Sequence, residues 1–275
     1  MLADTPLPFI FFASLILFAL ASEAGHRLGV FADKEANVAT LEASVLGLLA
    51  LMLSFTFAMA VTRFDARRDA LLKEANAIGT AGLRARLLPA PHNAESLNLL
   101  RDYVGVRVSL TETTGAQPSL DAAVARANAL QESLWREAKS AAAKDNGMVP
   151  TGLFIQALND VFDAQETRLT AYRHRVPRIV FFALYGIAAL GVGFSGYASG
   201  LERRRWRLPV YLVAVLVASV ILLIQDIDRP DSGSVRVSAQ PMIDTANALA
   251  TYAIDAEPPP APAPKPSEPP RRAPR

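Results

Sequence analysis

Residues able to carry covalent chemistry are sparse in this 275-residue chain, and they do not converge. There is no cysteine, which excludes disulfides, thiolate nucleophiles and cysteine-ligated zinc. The three histidines, His26, His92 and His174, fall in three unrelated segments, and none has a second ligand at metal spacing. No G-x-x-x-x-G-K-[ST] phosphate loop, no G-x-S-x-G elbow and no H-E-x-x-H pair occurs. The acids between residues 63 and 175 mostly stand beside Arg or Lys, the pattern of solvated ion pairs. No catalytic residue, metal site or cofactor is read from the chain, and we expect no enzyme.

The informative spacing is of another kind. At 100° per residue, Gly47, Ser54, Ala58 and Thr62 fall along one line of a helix. The line continues through Asp65 and Asp69, then Leu72, Asn76, Gly79 and Thr80, with Phe55 and Phe57 on either side of it. A small, weakly polar stripe inside a bilayer has two physical uses. Small residues let helix backbones approach closely. The same residues, flanked by Phe, can line a pore that gates by dewetting. Spacing alone leaves both open. Gly193, Gly196 and Gly200 form a second small pattern, read as a packing surface.

Such a line needs a helix in lipid to carry it. The hydrocarbon core is about 30 Å thick and takes roughly 20 helical residues. Four stretches qualify: Leu7–Ala24, Val45–Thr62, Ile179–Ser199 and Leu208–Ile227. None has a charge in its middle, where a charge would cost several kcal/mol (about 3 on insertion scales). Hydrophobic residues make up 51% of the chain, in keeping with four spans. The first is expected to be a retained span, because Met1-Leu2-Ala3-Asp4 has an acid and no base where a cleaved leader needs a positive region. The second runs without proline into a charged amphipathic helix that continues to Leu88.

The fold class expected is an all-α membrane protein: four transmembrane helices with a cytosolic helical bundle inserted between spans 2 and 3. Residues 7–62 hold spans 1 and 2, and 63–175 the soluble bundle, continuous with spans 2 and 3. Residues 176–228 hold spans 3 and 4. In the bundle, helices are expected from about Ala94 to Thr113, after an N-cap at Ser119, and along the stripe Phe154, Leu158, Val161, Gln165, Leu169 and Tyr172, with Pro177 kinking the start of span 3. Residues 229–257 are a juxtamembrane segment with a short helix opened by Pro241, and 258–275 a disordered Pro-rich tail. Four spans put both termini and the bundle on one side. Basic residues near the membrane are more numerous there, which predicts the cytoplasm, although Arg203-Arg204-Arg205 in the opposite loop argues the other way. The net charge is only +2 and no basic patch alternates with aromatics, so no nucleic-acid partner is expected.

Three motifs resemble one family. Glu23-Ala24-Gly25-His26-Arg27-Leu28-Gly29 follows the first span. Leu46 to Phe57, then Arg63-Phe64-Asp65-Ala66-Arg67-Arg68 and Glu74-Ala75-Asn76-Ala77-Ile78-Gly79-Thr80-Ala81, form the most specific signature. Asp226-Ile227-Asp228-Arg229-Pro230 and Ser238-Ala239-Gln240-Pro241-Met242 close the pattern. Over residues 7–250 the chain resembles the bacterial bestrophin-like family, a domain of unknown function distantly similar to bestrophin anion channels. The resemblance implies a multi-pass protein of the cell inner membrane, bathed in membrane lipid. It implies a homo-oligomer, pentameric by analogy only, with small ions as cargo and the second span lining a hydrophobic neck. On that mapping Ser54, Ala58 and Thr62 face the path. Asp65 and Asp69 sit at its cytosolic mouth, where a ring of acids favours cations, and Arg68 partly cancels them. The alternative is a non-conducting scaffold or sensor that displays the bundle. Asp226, Asp228 and Arg229 are read as an interfacial cluster anchoring span 4 rather than a transport site, since they stand at the bilayer edge.

Overall fold

The computed structural model describes residues 5–32, 38–112, 117–202, 207–230 and 233–252. Among these residues every regular element is a helix: α1 (Leu7–Phe31), α2 (Ala39–Ala85), α3 (His92–Glu112), α4 (Gln117–Lys144), α5 (Leu153–Arg173), α6 (Arg178–Leu201), α7 (Leu208–Asp228) and α8 (Gln240–Thr251). The Pro-rich tail and the Arg203-Arg204-Arg205 loop lie outside the described residues.

Helix α2 is the backbone of the molecule. Its 47 residues contain no proline, and glycine only at 47, 79 and 82, so nothing in the sequence breaks the ladder. At about 1.5 Å per residue it runs roughly 70 Å, more than twice the hydrocarbon thickness. It passes Arg63 without interruption. It ends near Arg86, ahead of Pro89 and Pro91, slightly before the expected Leu88. Helices α1, α6 and α7 are likewise long and apolar enough to cross a bilayer.

Two hydrophobic cores are strung along this rod. In the membrane layer, Leu49 and Ala60 of α2 meet Phe18 of α1, Leu184, Ala188 and Val192 of α6, and Ala218, Ile221 and Ile224 of α7. Beyond it, Ala75, Ile78 and Ala81 meet Leu97 and Leu100 of α3, Leu134 of α4, Phe154 and Leu158 of α5, and Met242 and Leu249 of α8. Large apolar side chains left outside the first core, such as Phe9, Phe12, Leu190 and Leu216, form the surface that a bilayer solvates.

Lipid is as apolar as leucine, so spans associate through close packing and hydrogen bonds rather than through the hydrophobic effect. Both occur here. Gly25 and Gly29 of α1 face Gly193, Gly196 and Gly200 of α6 backbone to backbone. A Cβ added at Gly196 would strike the carbonyl of Ser22, and one at Gly200 that of His26. Ser14 Oγ lies 3.0 Å from Tyr185 Oη, which accepts from Gln225 Nε2 at 3.3 Å, joining α1, α6 and α7.

Two local details, at Ser119 and Pro177, differ from the sequence expectation. Ser119 lies inside α4, which starts at Gln117 with Pro118 in its first turn, where a missing N–H goes unneeded. The start of α6 is a break rather than a kink: residues 174–177 leave the helix and Pro177 stands as its N-cap. His174 is extended, and residue 176 is disfavoured from the α region because proline follows it. Helix α5 is preceded by a wide turn over Met148–Gly152, where Val149 is non-helical ahead of Pro150.

Candidate functional site

The buried face of α2 forms one line: Leu49, Thr56, Ala60, Arg67, Leu71, Glu74, Ile78 and Ala85. The seam lies about half a turn away from it. Ala58 is displaced from Ala60 by about 160°, and Asp65 from Arg67 by the same angle. Gly47, Ser54, Ala58, Thr62, Asp65 and Asp69 are all exposed, as are Leu72, Asn76 and Thr80 further along. Phe55, 63% exposed, and Phe57, 38% exposed, stand on the two flanks. No element among the described residues covers the seam over its membrane half: a Cβ added at Gly47 would meet nothing within 4 Å. Its hydroxyls are satisfied on their own helix. Ser54 Oγ donates to the Ala50 carbonyl and Thr62 Oγ1 to that of Ala58, both at 2.9 Å. A hydroxyl oxygen that donates in this way keeps lone pairs free to accept from a further donor.

The remaining motif residues build the frame that holds α2. Arg67 donates from Nη1 to the Asp228 carbonyl at 3.1 Å and from Nη2 to the Ile227 carbonyl at 2.5 Å. A buried guanidinium thus caps the C-terminus of α7, where the helix dipole favours a cation. The Asp228 carboxylate accepts from the Val176 N–H at 2.9 Å, just before α6. Asp226 accepts from the N–H groups of Ser234 and Val235 at 2.6 and 3.2 Å, tying that segment to the end of α7. Arg229 donates to the Thr5 carbonyl at 2.7 Å. The two acids thus take backbone amides from two segments, and Arg229 ties the end of α7 to a third. At the opposite end, Glu23 takes Arg27 at 3.0 Å and Arg207 at 2.5 Å, linking α1 to the start of α7. Phe64 packs at the edge of the membrane core, and Arg63 beside it is half-buried.

Glu74 and Asn76 part company: Asn76 is exposed, while Glu74 is fully buried. Glu74 pairs with Arg107 of α3 (Nε to Oε1, 2.6 Å) and with Arg168 of α5 (Nη1 to Oε2, 2.7 Å). The Tyr103 hydroxyl lies 3.2 Å from Glu74 Oε1 and 2.8 Å from Gln165 Oε1. Burial pushes the Glu74 carboxyl up, but the Arg107 and Arg168 guanidiniums outweigh it and hold the group below the usual carboxylate range. Burial raises the Tyr103 hydroxyl well above its ordinary value, so it stays protonated. Arg107, Tyr103 and Arg168 were not singled out by sequence reasoning. The available signal was Gln165, a polar residue in an otherwise apolar stripe, which called for a partner across the bundle.

Among the described residues no group of three or more His, Asp or Glu could hold a metal. The arrangement brings motif residues into three structural clusters, around Glu23, around Arg67 with Asp228, and around Glu74, and leaves the seam residues exposed.

These features define an all-helical, multi-pass membrane protein. The family model for the Bestrophin-like domain matches residues 4–242, and the chain belongs to that family. Its fold is that of a bacterial bestrophin homolog from Klebsiella pneumoniae. That structure shares 14% identity at a TM-score of 0.65, with 89% of this chain and 99% of that one covered. Two point mutants of the Klebsiella protein align similarly. One has 14% identity, TM-score 0.68 and coverage of 90% and 97%; the other has 16% identity, TM-score 0.63 and coverage of 89% and 98%. No curated protein matches the sequence.

Proposed function

We propose that the chain assembles into a ring of identical subunits in the inner membrane, with α2 of each subunit facing a shared axis along which small ions pass. The observation that carries this reading is the bare seam. It holds small, weakly polar residues through the membrane, runs on into Asp65 and Asp69, and lies opposite the face that α2 buries against the other described residues. Among the described residues those side chains stay exposed, which argues against their use for close packing of the protomer's own spans. A ring of helices supplies what faces them: the same seam from other copies, with water between. Phe55 and Phe57 on the flanks narrow such a path, and the acids mark its mouth. The bundle and both termini then lie in the cytoplasm. Five subunits is the number implied by resemblance to bestrophins.

The test is ion flux through purified full-length protein in liposomes. The wild type passes ions, and Ala58→Trp lowers the flux by about tenfold or more by filling a narrow neck, while Ala58→Ser leaves it near the wild-type level. A monomer or dimer by particle imaging, or a folded oligomer that passes no ions, would replace the channel with a membrane-anchored scaffold.

A further inference from the structure

We propose that the groove where α2 leaves the membrane binds the phosphate of an anionic phospholipid. The groove encloses about 480 Å³ between α2 and the segment leading into α8. Arg68 stands on one wall, Arg236 and Ser238 on the other, with Phe64, Leu72 and Val237 as apolar surface between them.

Three observations point to this ligand. The first is charge. Both arginines are exposed, and among the described residues neither has a carboxylate partner. Asp65 and Asp69, the acids nearest Arg68 along α2, lie on the seam and make no salt bridge to it. Arg236 donates from Nε to the Gly233 carbonyl at 2.9 Å, which holds its stem in place and leaves the outer nitrogens for another acceptor. Guanidinium forks suit phosphate oxygens better than ammonium groups do. The groove also borders the first turn of α8 at Pro241, whose partial positive charge has the same sign.

The second is depth. A hydrocarbon core that begins at Val45 and takes about 20 residues ends near Phe64. Arg68 then lies roughly 6 Å further out, inside the headgroup layer of about 5–8 Å. A phosphate is present at that height at all times. The third is the apolar wall. Phe64, Leu72 and Val237 offer contact to a glycerol backbone and the first methylenes of an acyl chain, and a free phosphate gains nothing from them.

The experiment uses full-length protein in an uncharged detergent, with the thermal midpoint and native mass spectrometry as readouts. Dioleoyl phosphatidylglycerol, dioleoyl phosphatidylcholine and inorganic phosphate are added separately. Phosphatidylglycerol is expected to raise the midpoint and remain bound, and the other two to do neither. Arg68→Gln and Arg236→Gln each weaken phosphatidylglycerol binding about five-fold, and Arg68→Lys retains most of it. Equal effects of the two lipids would mean that the groove is filled by apolar contact alone or by a second copy of the chain, and would overturn the proposal. An equal effect of inorganic phosphate would replace the lipid with a free anion. An unchanged response in the double glutamine variant would remove the site from this groove.

Discussion

Glu74 is the residue on which the bundle turns. It is 0% exposed, Arg107 is 1% exposed, and together with Arg168 they join α2, α3 and α5. Removing the carboxylate takes from two largely buried guanidiniums the partner they share. Glu74→Gln should therefore cost about 3–5 kcal/mol, read as a lowered thermal midpoint. The pH dependence has a definite sign. The folded-state pKa of Glu74 is depressed below 4.5, so its stabilisation is fully present above that value and is lost as pH falls through the folded pKa. Glu74→Gln should start lower and lose less on acidification below about pH 4.5, so that the two denaturation curves converge. An unchanged acid limb would show that other carboxylates govern it. Arg67 plays the corresponding part in the membrane layer, with the carbonyl end of α7 in place of a carboxylate.

At the scale of elements, the contact between α1 and α6 depends on the absence of side chains. A methyl group at Gly196 has only the Ser22 backbone to displace, so the helices must separate. Gly196→Ala should cost about 1–3 kcal/mol through overpacking. Gly186, on the same helix, would place its Cβ in open space, and Gly186→Ala should be neutral or slightly stabilising because alanine is the better helix former. Thermal melts of both variants in detergent compare them directly, and equal midpoints would mean that the helices slide to absorb the methyl. The continuity of α2 belongs to this scale too. With no proline between Ala39 and Ala85, a shift at one end is carried to the other by a single rod.

For the whole molecule, α2 is the element shared by both cores among the described residues, and on the proposed reading its outer seam is what one subunit leaves for its neighbours. A cysteine-free chain makes that testable, since any introduced thiol is unique. In membranes, Ala58→Cys should react with a small water-soluble thiol reagent if the seam faces an aqueous path. Leu216→Cys, also exposed in the subunit but on the α7 face, should be protected by lipid. Equal protection of the two would place the seam against hydrocarbon or a dry interface and end the permeation reading.

Hydropathy and length alone determined the four spans and the all-helical class, because lipid permits few ways to satisfy a backbone. The proline-free run through Arg63 determined the unbroken rod, and a 100° periodicity picked out the seam. What chain order does not encode is which face of a helix its own subunit covers. Every seam position could have been buried against α1 or α6, and only packing in three dimensions left them bare. The same holds for charge. Glu74 reads as one more surface acid beside Lys73, and only the approach of α3 and α5 brings Arg107 and Arg168 within 2.7 Å of it. Local pattern follows from backbone hydrogen bonding and solvent preference within a few residues. The meeting of side chains 33 and 94 positions apart follows from how whole helices dock, which no short-range rule contains.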